Sequence, residues 1–327
     1  MKKQIRILIT ILCLALVAAA LSSCSTVKLD DELEIKISVL NGTTGFGAAK
    51  LMSDAKAGNT LLNYNITVET DASNITAGLI NGSIDIAALP TNAAATVYNK
   101  TEGKIKIAAV NTLGVLYLMT NGVEISSVAD LEGKTVYCPA QNPSFIFEAI
   151  CRANGLIPGE NITIDTAYAQ PADLRTALVS GQVDIAVLPE PMVTIAKSAN
   201  NALATALDLT AEWEKVYGED TLMQGCIVVR TEWAEAHPKE LEEFLDNYKE
   251  SVEFTTENAK EASQMIVEAG IFAQAPVAEK AIPNCNIVYI DGDDMAEALD
   301  VFFAKLYDVK PASVGGKLPD SNIYLTK

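Results

Sequence analysis

Residues 81–90 read NGSIDIAALP, and residues 180–189 read SGQVDIAVLP. Gly, Asp, Ala, Leu and Pro coincide between the two stretches, and Ile exchanges with Val. In each stretch the glycine can end a helix, the aspartate begins a short apolar strand, and the proline stops that strand because it has no N–H to donate. Such an apolar strand is typical of a parallel sheet that is buried on both faces. The sequence therefore predicts an α/β unit that occurs twice.

The offset of 99 positions between the two copies also holds upstream. Residues 37–40 fall on residues 136–139, and Phe46 falls on Phe145. Each copy alternates strands with helices, which indicates parallel βαβ units. We therefore predict two similar α/β lobes, each with a mostly parallel sheet flanked by helices. Ligands collect at the carboxyl ends of strands in such sheets, so two facing lobes would form a binding cleft.

The rest of the chain assigns residues to the two lobes. Strand-like stretches lie within residues 105–120, after the first copy, and within residues 222–230, after the second copy. These stretches would carry the chain between the lobes. Because the chain returns after the second copy, we assign residues 35–112 and 225–327 to the first lobe and residues 113–224 to the second.

The amino terminus has the features of a bacterial export signal. A basic start leads into the apolar run Ile7–Leu21, which is followed by Ser22, Ser23 and Cys24. The run is too short for a confident membrane span, and small residues directly before a cysteine are typical of a lipobox. We predict a lipoprotein signal peptide over residues 1–23, a lipid (palmitate) on Cys24 and a polar tether over residues 24–34. The body would then sit on the extracytoplasmic face of the cell membrane.

Composition argues against several classes of function. The chain carries 24 Lys and Arg against 42 Asp and Glu, a formal charge of −18, and such a surface repels nucleic acid. His237 is the only histidine, and no Cys-x-x-Cys occurs, so we predict neither a metal site nor a cofactor. We expect the cysteines beyond Cys24 to be buried small hydrophobic residues, although export permits disulfides and the sequence leaves any pairing open. They are Cys138, Cys151, Cys226 and Cys285.

The order of these elements resembles the type II periplasmic binding proteins of ABC importers, especially the nitrate, sulfonate and taurine group and the NMT1/THI5-like group. Five stretches carry the resemblance: GTTG at 42–45, Asp-Ile-Ala at 85–87 and at 184–186, Glu-Pro at 190–191, and LPDS at 318–321. The resemblance covers nearly all of the chain beyond the signal. It implies two α/β lobes, a two-strand hinge, a small organic ligand enclosed between the lobes, and permease and ATPase subunits as partners.

Loops at the strand ends supply the candidate ligand contacts. Residues 42–47 offer glycine backbone, threonine hydroxyls and free N–H groups at a helix start, and the Phe46 ring would stack on a flat ligand. Residues 140–145 are the equivalent loop of the second lobe, and further polar residues follow the two repeated prolines. The candidate contacts are Thr43, Thr44, Gly45, Phe46, Thr91, Asn92, Gln141, Asn142, Ser144, Phe145 and Glu190.

The chemistry of the ligand stays open among three classes. Beyond the signal the chain has three arginines, and none lies in a candidate cleft loop, so an arginine clamp for a carboxylate or sulfonate is not evident. Helix starts can still hold an anion, whereas Glu190 favours an amine or a ring N–H. The expected ligand is a small organic molecule that bears an amine, is heteroaromatic or resembles a sulfonate.

Three functions are compatible with this fold. The first is a transport protein that delivers a solute to an ABC permease. The second is an enzyme that resembles a pyrimidine synthase or a chorismate dehydratase, and the third is a sensor module that reports to a membrane receptor. The single histidine, the absence of the pyrimidine synthase's cysteine-rich motif and the export signal argue against catalysis. We therefore expect a transport protein with no catalytic residues.

Overall fold

The computed structural model describes residues 29–30 and 32–325. In this part of the chain two β-sheets form, one of six strands and one of five. The strands of the larger sheet are β1 (Glu34–Leu40), β2 (Asn63–Glu69), β3 (Ile86–Pro90), β4 (Ile105–Thr112), β10 (Gly225–Arg230) and β11 (Ile287–Ile290). The strands of the smaller sheet are β5 (Leu116–Asn121), β6 (Thr135–Tyr137), β7 (Thr163–Asp165), β8 (Ile185–Pro189) and β9 (Leu203–Asp208).

The two sheets share one strand order. It is β2-β1-β3-β10-β4 in the larger sheet, with β11 added at the edge, and β7-β6-β8-β5-β9 in the smaller sheet. The strands of each repeat pair in parallel, whereas β10 and β5 pair antiparallel with both of their neighbours. The prediction of two similar α/β lobes is therefore confirmed. Each sheet accommodates one reversed strand, β10 or β5, beside its repeat, and the edge strand β11 of the larger sheet is reversed as well.

Helices flank both sheets, as the alternating sequence pattern predicts. The helix before the first repeated strand spans Ala72–Asn81, and Gly82 ends it in the left-handed conformation at φ 83°, as the glycine of this copy predicts. The helices are α1 (Thr43–Phe46), α2 (Ala49–Ala57), α3 (Ala72–Asn81), α4 (Thr91–Thr101), α5 (Asn142–Ala153), α6 (Pro171–Val179), α7 (Met192–Ala199), α8 (Leu209–Tyr217), α9 (Thr231–Ala236), α10 (Pro238–Glu257), α11 (Ala259–Glu268), α12 (Ala275–Ala281) and α13 (Gly292–Val309).

The two reversed strands bring the crossings between the sheets next to the repeated prolines. Gly225, the first residue of β10, lies opposite Pro90 at the end of β3. Leu116, the first residue of β5, lies opposite Pro189 at the end of β8. The carboxyl ends of the repeat strands and the passages from one sheet to the other therefore share one region of the molecule.

The apolar core is continuous from one sheet to the other. A single cluster of buried side chains contains residues of β4, β5, α5 and α13. Within it, Phe302 of α13 contacts Trp213 of α8, with ring centroids 5.8 Å apart. Helix α13 follows β11 of the larger sheet in sequence and packs on α5 beside the smaller sheet. It is thus a second link between the lobes, beside the crossing strands.

The sequence predictions need two corrections at the amino-terminal end. The loop predicted over residues 42–47 contains the helical turn α1, because the Gly45 and Ala48 N–H groups donate to the carbonyl oxygens of Gly42 and Gly45. The predicted tether is too long, since Leu29 and Leu33 pack on the core and Glu34 already begins β1. The predicted signal peptide and the lipid site at Cys24 lie outside the described residues.

The four cysteines of the described chain are unpaired and buried, which agrees with their expected role as small hydrophobic residues. Burial raises the pKa of the Cys151 and Cys226 thiols to about 12, so both are neutral at physiological pH. Among the described residues, no helix is both long and apolar enough to span a bilayer.

Candidate functional site

The carboxyl ends of β1 and β8, which belong to different sheets, meet in the folded chain. The Thr43 hydroxyl, in the first turn after β1, donates to the Glu190 carbonyl oxygen, which follows β8, at 3.4 Å. Nearby, the Tyr117 hydroxyl of β5 donates to the Asn284 carbonyl oxygen at 3.0 Å. The structure therefore brings two of the predicted contacts together, one from each lobe.

Glu190 is fixed by both its backbone and its carboxylate. Its N–H donates to the Val115 carbonyl oxygen at 3.0 Å, on the passage between the sheets. Its carboxylate accepts from the backbone N–H of Thr194 at 3.1 Å and from the Thr194 hydroxyl at 3.0 Å, so it satisfies donors in the first turn of α7. The residue is only 3% exposed. Glu190 is thus a buried acid at the point where the two lobes touch.

Burial sets the electrostatics of this acid. Removal from water raises the pKa of the Glu190 carboxyl, while the hydrogen bonds from Thr194, a hydrogen bond from Asn284 and the charge of Lys197 oppose that rise. Burial also raises the pKa of the Tyr117 hydroxyl, with contributions from the charges of Asp208 and Glu190. Tyr117 therefore stays a neutral hydrogen-bond donor beside the carboxylate.

A buried polar network holds the first-lobe loop in place. The Asn111 side-chain amide donates to the Thr44 carbonyl oxygen at 3.0 Å and to the Tyr248 hydroxyl at 2.9 Å. The Asn111 side-chain oxygen accepts from the Thr112 hydroxyl at 3.1 Å. Sequence reasoning missed Asn111 and Tyr248, and the one available signal was an asparagine near the end of an otherwise apolar strand. The network holds Thr44 through its backbone carbonyl oxygen, and the Thr44 side chain makes no hydrogen bond in the described structure.

Gly45 and Phe46 shape the loop from the protein side. A side chain at Gly45 would overlap the Leu40 carbonyl oxygen and would meet Ile271 Cγ2 at 3.0 Å. The Phe46 ring is 0% exposed and packs edge-on against Phe272, with centroids 6.1 Å apart. The expectation that Phe46 stacks on a ligand is not met in this structure, because its ring belongs to the apolar core.

The second-lobe loop begins α5 with an unusual backbone. Gln141 is exposed and has φ 67°, and its carbonyl oxygen accepts from the Ser144 hydroxyl at 2.8 Å. Asn142 follows as the first helical residue, and its buried side-chain oxygen has no hydrogen-bond partner in the described structure. The Lys310 ammonium lies 5.4 Å from the centre of the Phe145 ring, so this ring faces the carboxyl-terminal segment. Asn142 is therefore the residue of this loop with an acceptor to spare.

The residues after the first-lobe proline differ in what they contact. Thr91 is 0% exposed, and its buried hydroxyl oxygen has no hydrogen-bond partner in the described structure. The Thr91 side chain lies beside the Cys226 thiol and lowers the pKa of that thiol against the larger, opposite effect of burial. Asn92 donates from its side chain to the Ser313 carbonyl oxygen at 3.4 Å, which ties it to the carboxyl-terminal segment. A buried polar atom without a partner is costly, so Thr91 and Asn142 mark places where a further group would be stabilising.

Gln224 fastens the two passages between the lobes to each other. Its side-chain oxygen accepts from the Val115 N–H at 2.7 Å, and its backbone N–H donates to the Thr112 carbonyl oxygen at 2.9 Å. Its carbonyl oxygen accepts from the Thr91 N–H at 3.1 Å. The crossing segments are therefore joined directly to the start of α4, one of the helices that point at the contact region.

The polar groups of the candidate site are hydroxyls, amides and a carboxylate. No group of three or more His, Cys, Asp or Glu that could hold a metal ion occurs among the described residues. His237 lies far along the chain at the start of α10, where its ring packs against Trp233 at 5.3 Å between centroids. Hydroxyl, amide and carboxylate groups at helix starts remain as the polar contacts.

The comparisons with known proteins agree with this architecture, which is that of a type II periplasmic binding protein. The chain matches the family model described as NMT1/THI5 like over residues 62–262, well over half of its length, and it belongs to this family. Among curated proteins, no sequence matches it.

Three solved structures illustrate the likeness. An ABC transporter from Parabacteroides distasonis is 26% identical, with a TM-score of 0.75, and the match covers 90% of this chain and 99% of that chain. The periplasmic aliphatic sulphonate binding protein SsuA from Escherichia coli is 16% identical, with a TM-score of 0.71 and coverage of 89% and 95%. The alkanesulfonate-binding protein SsuA from Xanthomonas axonopodis, bound to MOPS, is 15% identical, with a TM-score of 0.63 and coverage of 88% and 94%.

Proposed function

We propose that this chain is an extracytoplasmic solute-binding protein that captures a small organic molecule between two lobes and delivers it to the permease of an ABC importer. The observation that carries the proposal is the contact between Thr43 and Glu190, which follow the carboxyl ends of strands in two different sheets with the same strand order. Family membership supports it, as do solved structures described as an ABC transporter and as a periplasmic aliphatic sulphonate binding protein.

The proposed lobes are residues 35–112 with 225–327, and residues 113–224. The chain passes between them at Thr112–Leu116 and again near Gln224, and the Gln224 side chain joins the two passages. Two adjacent crossings of this kind form a hinge about which the lobes can open and close. A ligand that contacts both lobes would favour the closed arrangement in proportion to those contacts.

The proposed ligand contacts come from both sides of the cleft. Thr43, Thr44 and Thr91 would supply hydroxyl groups from the first lobe. The second lobe would supply the Asn142 amide and the Glu190 carboxylate, with Gln141, Ser144 and Phe145 beside them. Gly45, Phe46 and Asn92 are more consistent with support of the loops, because their contacts lie within the protein.

The chemistry of the ligand is proposed from two of these contacts, the unpartnered Asn142 oxygen and the Glu190 carboxylate, which keeps acceptor capacity beside its two bonds from Thr194. The Asn142 side-chain oxygen is an acceptor and Glu190 is an acid, so a ligand with an amine or ring N–H would satisfy them. Helix α5 begins at the same place, and its free N–H groups would hold an anionic group. Two structural neighbours are described as sulfonate-binding proteins, so a sulfonate-like ligand stays among the candidates.

We propose that the protein is anchored to the cell membrane through a lipid on Cys24, with the folded body on the extracytoplasmic face. The apolar run before Leu21-Ser22-Ser23-Cys24 supports this anchor.

We also propose that the protein binds its solute without converting it. The Glu190 carboxylate already accepts two hydrogen bonds from Thr194, and the single histidine packs against Trp233.

Mass spectrometry under non-denaturing conditions tests this function on protein purified from its native host. We expect a mass increment that disappears on denaturation and yields an intact small molecule. Incubation of that compound with fresh protein should leave it unchanged. Formation of a product in excess of the protein concentration would establish an enzyme instead.

A further inference from the structure

The first described residues of the chain do not project from the lobe. Leu29 and Leu33 pack against the apolar core that includes β1 and α10. Between them, the Asp30 carboxylate accepts from the Glu32 N–H at 3.2 Å, and the Asp30 carbonyl oxygen accepts from the Leu33 N–H at 3.3 Å. We call Leu29, Asp30, Glu32 and Leu33 the N-terminal clip.

One buried acid fastens the N-terminal clip to the lobe. The Asp30 N–H donates to the Glu240 carboxylate at 3.0 Å, across a separation of 210 residues. Glu240 is in the first turn of α10 and is only 7% exposed. A carboxylate is favoured at a helix start, where free N–H groups and the helix dipole face it. The hydrogen bond from the Asp30 N–H has the largest effect on this carboxyl and lowers its pKa. The N–H of Glu240 itself and the charges of His237 and Lys239 lower that pKa further.

The N-terminal clip lies at the end of the first lobe that is remote from the cleft. It leads directly into β1, which runs from Glu34 to Leu40 and delivers Thr43 to Glu190. Six residue steps of a strand separate those two ends of β1, a distance of about 20 Å. Helix α10 runs the same way, since Glu240 contacts the clip whereas the Ser251 hydroxyl, farther along, donates to the Gly47 carbonyl oxygen at 2.6 Å.

We propose that the N-terminal clip is a fixed docking point that holds the remote end of the first lobe at the membrane surface. The inference rests on the proposed lipid anchor at Cys24. Five residue steps separate Cys24 from Leu29, and a fully extended chain of that length spans at most about 18 Å. The lipid surface is therefore the partner of this end of the first lobe, and the second lobe projects farther from the bilayer.

Hydrogen exchange on the full chain tests the docking itself. The Asp30 amide should exchange at least about tenfold more slowly than an exposed amide, because opening must break its bond to a charged acceptor. Glu240→Ala should abolish this protection, whereas Glu240→Gln should keep much of it, since its side-chain oxygen can still accept the N–H. Exchange of Asp30 in the wild type at the rate of a free amide would overturn the clip.

Energy transfer to labelled lipids tests the orientation on lipidated protein in vesicles. A donor dye at Glu235→Cys, an exposed position of α9 in the first lobe, is compared with one at Glu132→Cys, an exposed position before β6 of the second lobe. The four other cysteines of the described chain are buried, which favours labelling at the introduced position. We expect stronger transfer from position 235 and a smaller difference in Glu240→Ala.

The outcomes separate the inference from the proposed function. Equal transfer from the two labels in lipidated, vesicle-bound wild type would overturn the orientation and leave the anchor intact. A protein that carries no lipid on Cys24 and does not float with vesicles would overturn the anchor, and the membrane-facing assignment with it. Solute binding would be unaffected in both cases, because the N-terminal clip lies away from the cleft.

Discussion

The two copies of the repeat share a backbone but give the same residue different surroundings. Asp85, in the first copy, is 6% exposed, and its carboxylate accepts from the Lys36 N–H at 3.1 Å and pairs with Arg230 at 3.1 Å. Asp184, in the second copy, is exposed, and its carbonyl oxygen accepts from the Asn121 N–H at 2.8 Å. The repeated aspartate is thus part of the packed structure in one lobe and a surface residue in the other.

The positions next to the cleft diverge in the same manner. The repeated proline is followed by a buried threonine, Thr91, in the first copy and by a buried acid, Glu190, in the second. Gly45 of the first copy corresponds to Ser144 of the second, where a side chain fits and bonds to Gln141. Repetition therefore specifies where the strands end, and the residues that differ at those ends decide what each lobe offers to a ligand.

The largest difference between the copies should appear at the aspartates. Asp85→Ala removes the closer and more buried of the two acidic partners of Arg230 and leaves the Lys36 N–H unpaired, so we expect a loss of about 2–4 kcal/mol in the free energy of unfolding. Asp184→Ala should change that free energy by less than about 0.5 kcal/mol, as is usual for an exposed position. Urea unfolding of both variants measures the contrast. Equal losses would show that the two environments are equivalent.

Exchange of equivalent residues between the copies should have the next largest effect. Gly45→Ser gives the first lobe the second lobe's residue, and its side chain would overlap the Leu40 carbonyl oxygen. We expect a cost of about 1–3 kcal/mol from overpacking. Ser144→Ala should cost about 0.5–1.5 kcal/mol, the value of one hydrogen bond. Thermal unfolding compares the pair, and a harmless Gly45→Ser would contradict the close approach.

A smaller, pH-dependent effect is expected at Glu190. Burial raises its pKa above the ordinary value of 4.5, so the native protein holds this proton more tightly than the unfolded chain does. The resulting stabilisation is complete below the ordinary pKa and is lost as pH rises through the raised native pKa. Glu190→Gln lacks this loss. Its free energy of unfolding should therefore rise relative to that of the wild type as pH increases from about 4 to about 8.

Urea unfolding over this pH range measures the prediction at Glu190. Glu132→Gln is the matched control, because Glu132 is an exposed glutamate of the same lobe. The control should follow the wild-type profile in the same experiments. A constant difference between Glu190→Gln and the wild type at every pH would show that the carboxyl does not titrate differently in the native state.

The repeat made much of the fold predictable, because a helix end, a buried strand and a proline stop are local properties of the sequence. The insertion of β10 and β5 between repeat strands is not local, since each strand arrives from the other lobe. The same holds for Phe46, whose burial depends on Phe272, and for the N-terminal clip, whose acceptor is 210 residues away.

The candidate site was predictable as a set of loops and less so as a set of side chains. Strand direction alone brings Thr43 to Glu190, because both follow repeat strands whose carboxyl ends meet. Asn92 donates to the carboxyl-terminal segment, and Asn111 donates to the Tyr248 hydroxyl. Neither contact can be predicted from the neighbouring sequence. Tertiary packing decides which polar groups in a predicted loop remain available.

Calorimetric titration with the compound that co-purifies with the protein tests the central claim most directly. A ligand held between the two copies needs contacts from each, so Thr44→Ala and Asn142→Ala should each weaken binding by about twofold to tenfold, which corresponds to one hydrogen bond. Asn201→Ala, at an exposed turn of the second lobe, is the control and should bind as the wild type does. Wild-type affinity in both cleft variants, with unchanged thermal unfolding, would show that the solute does not lie between these loops.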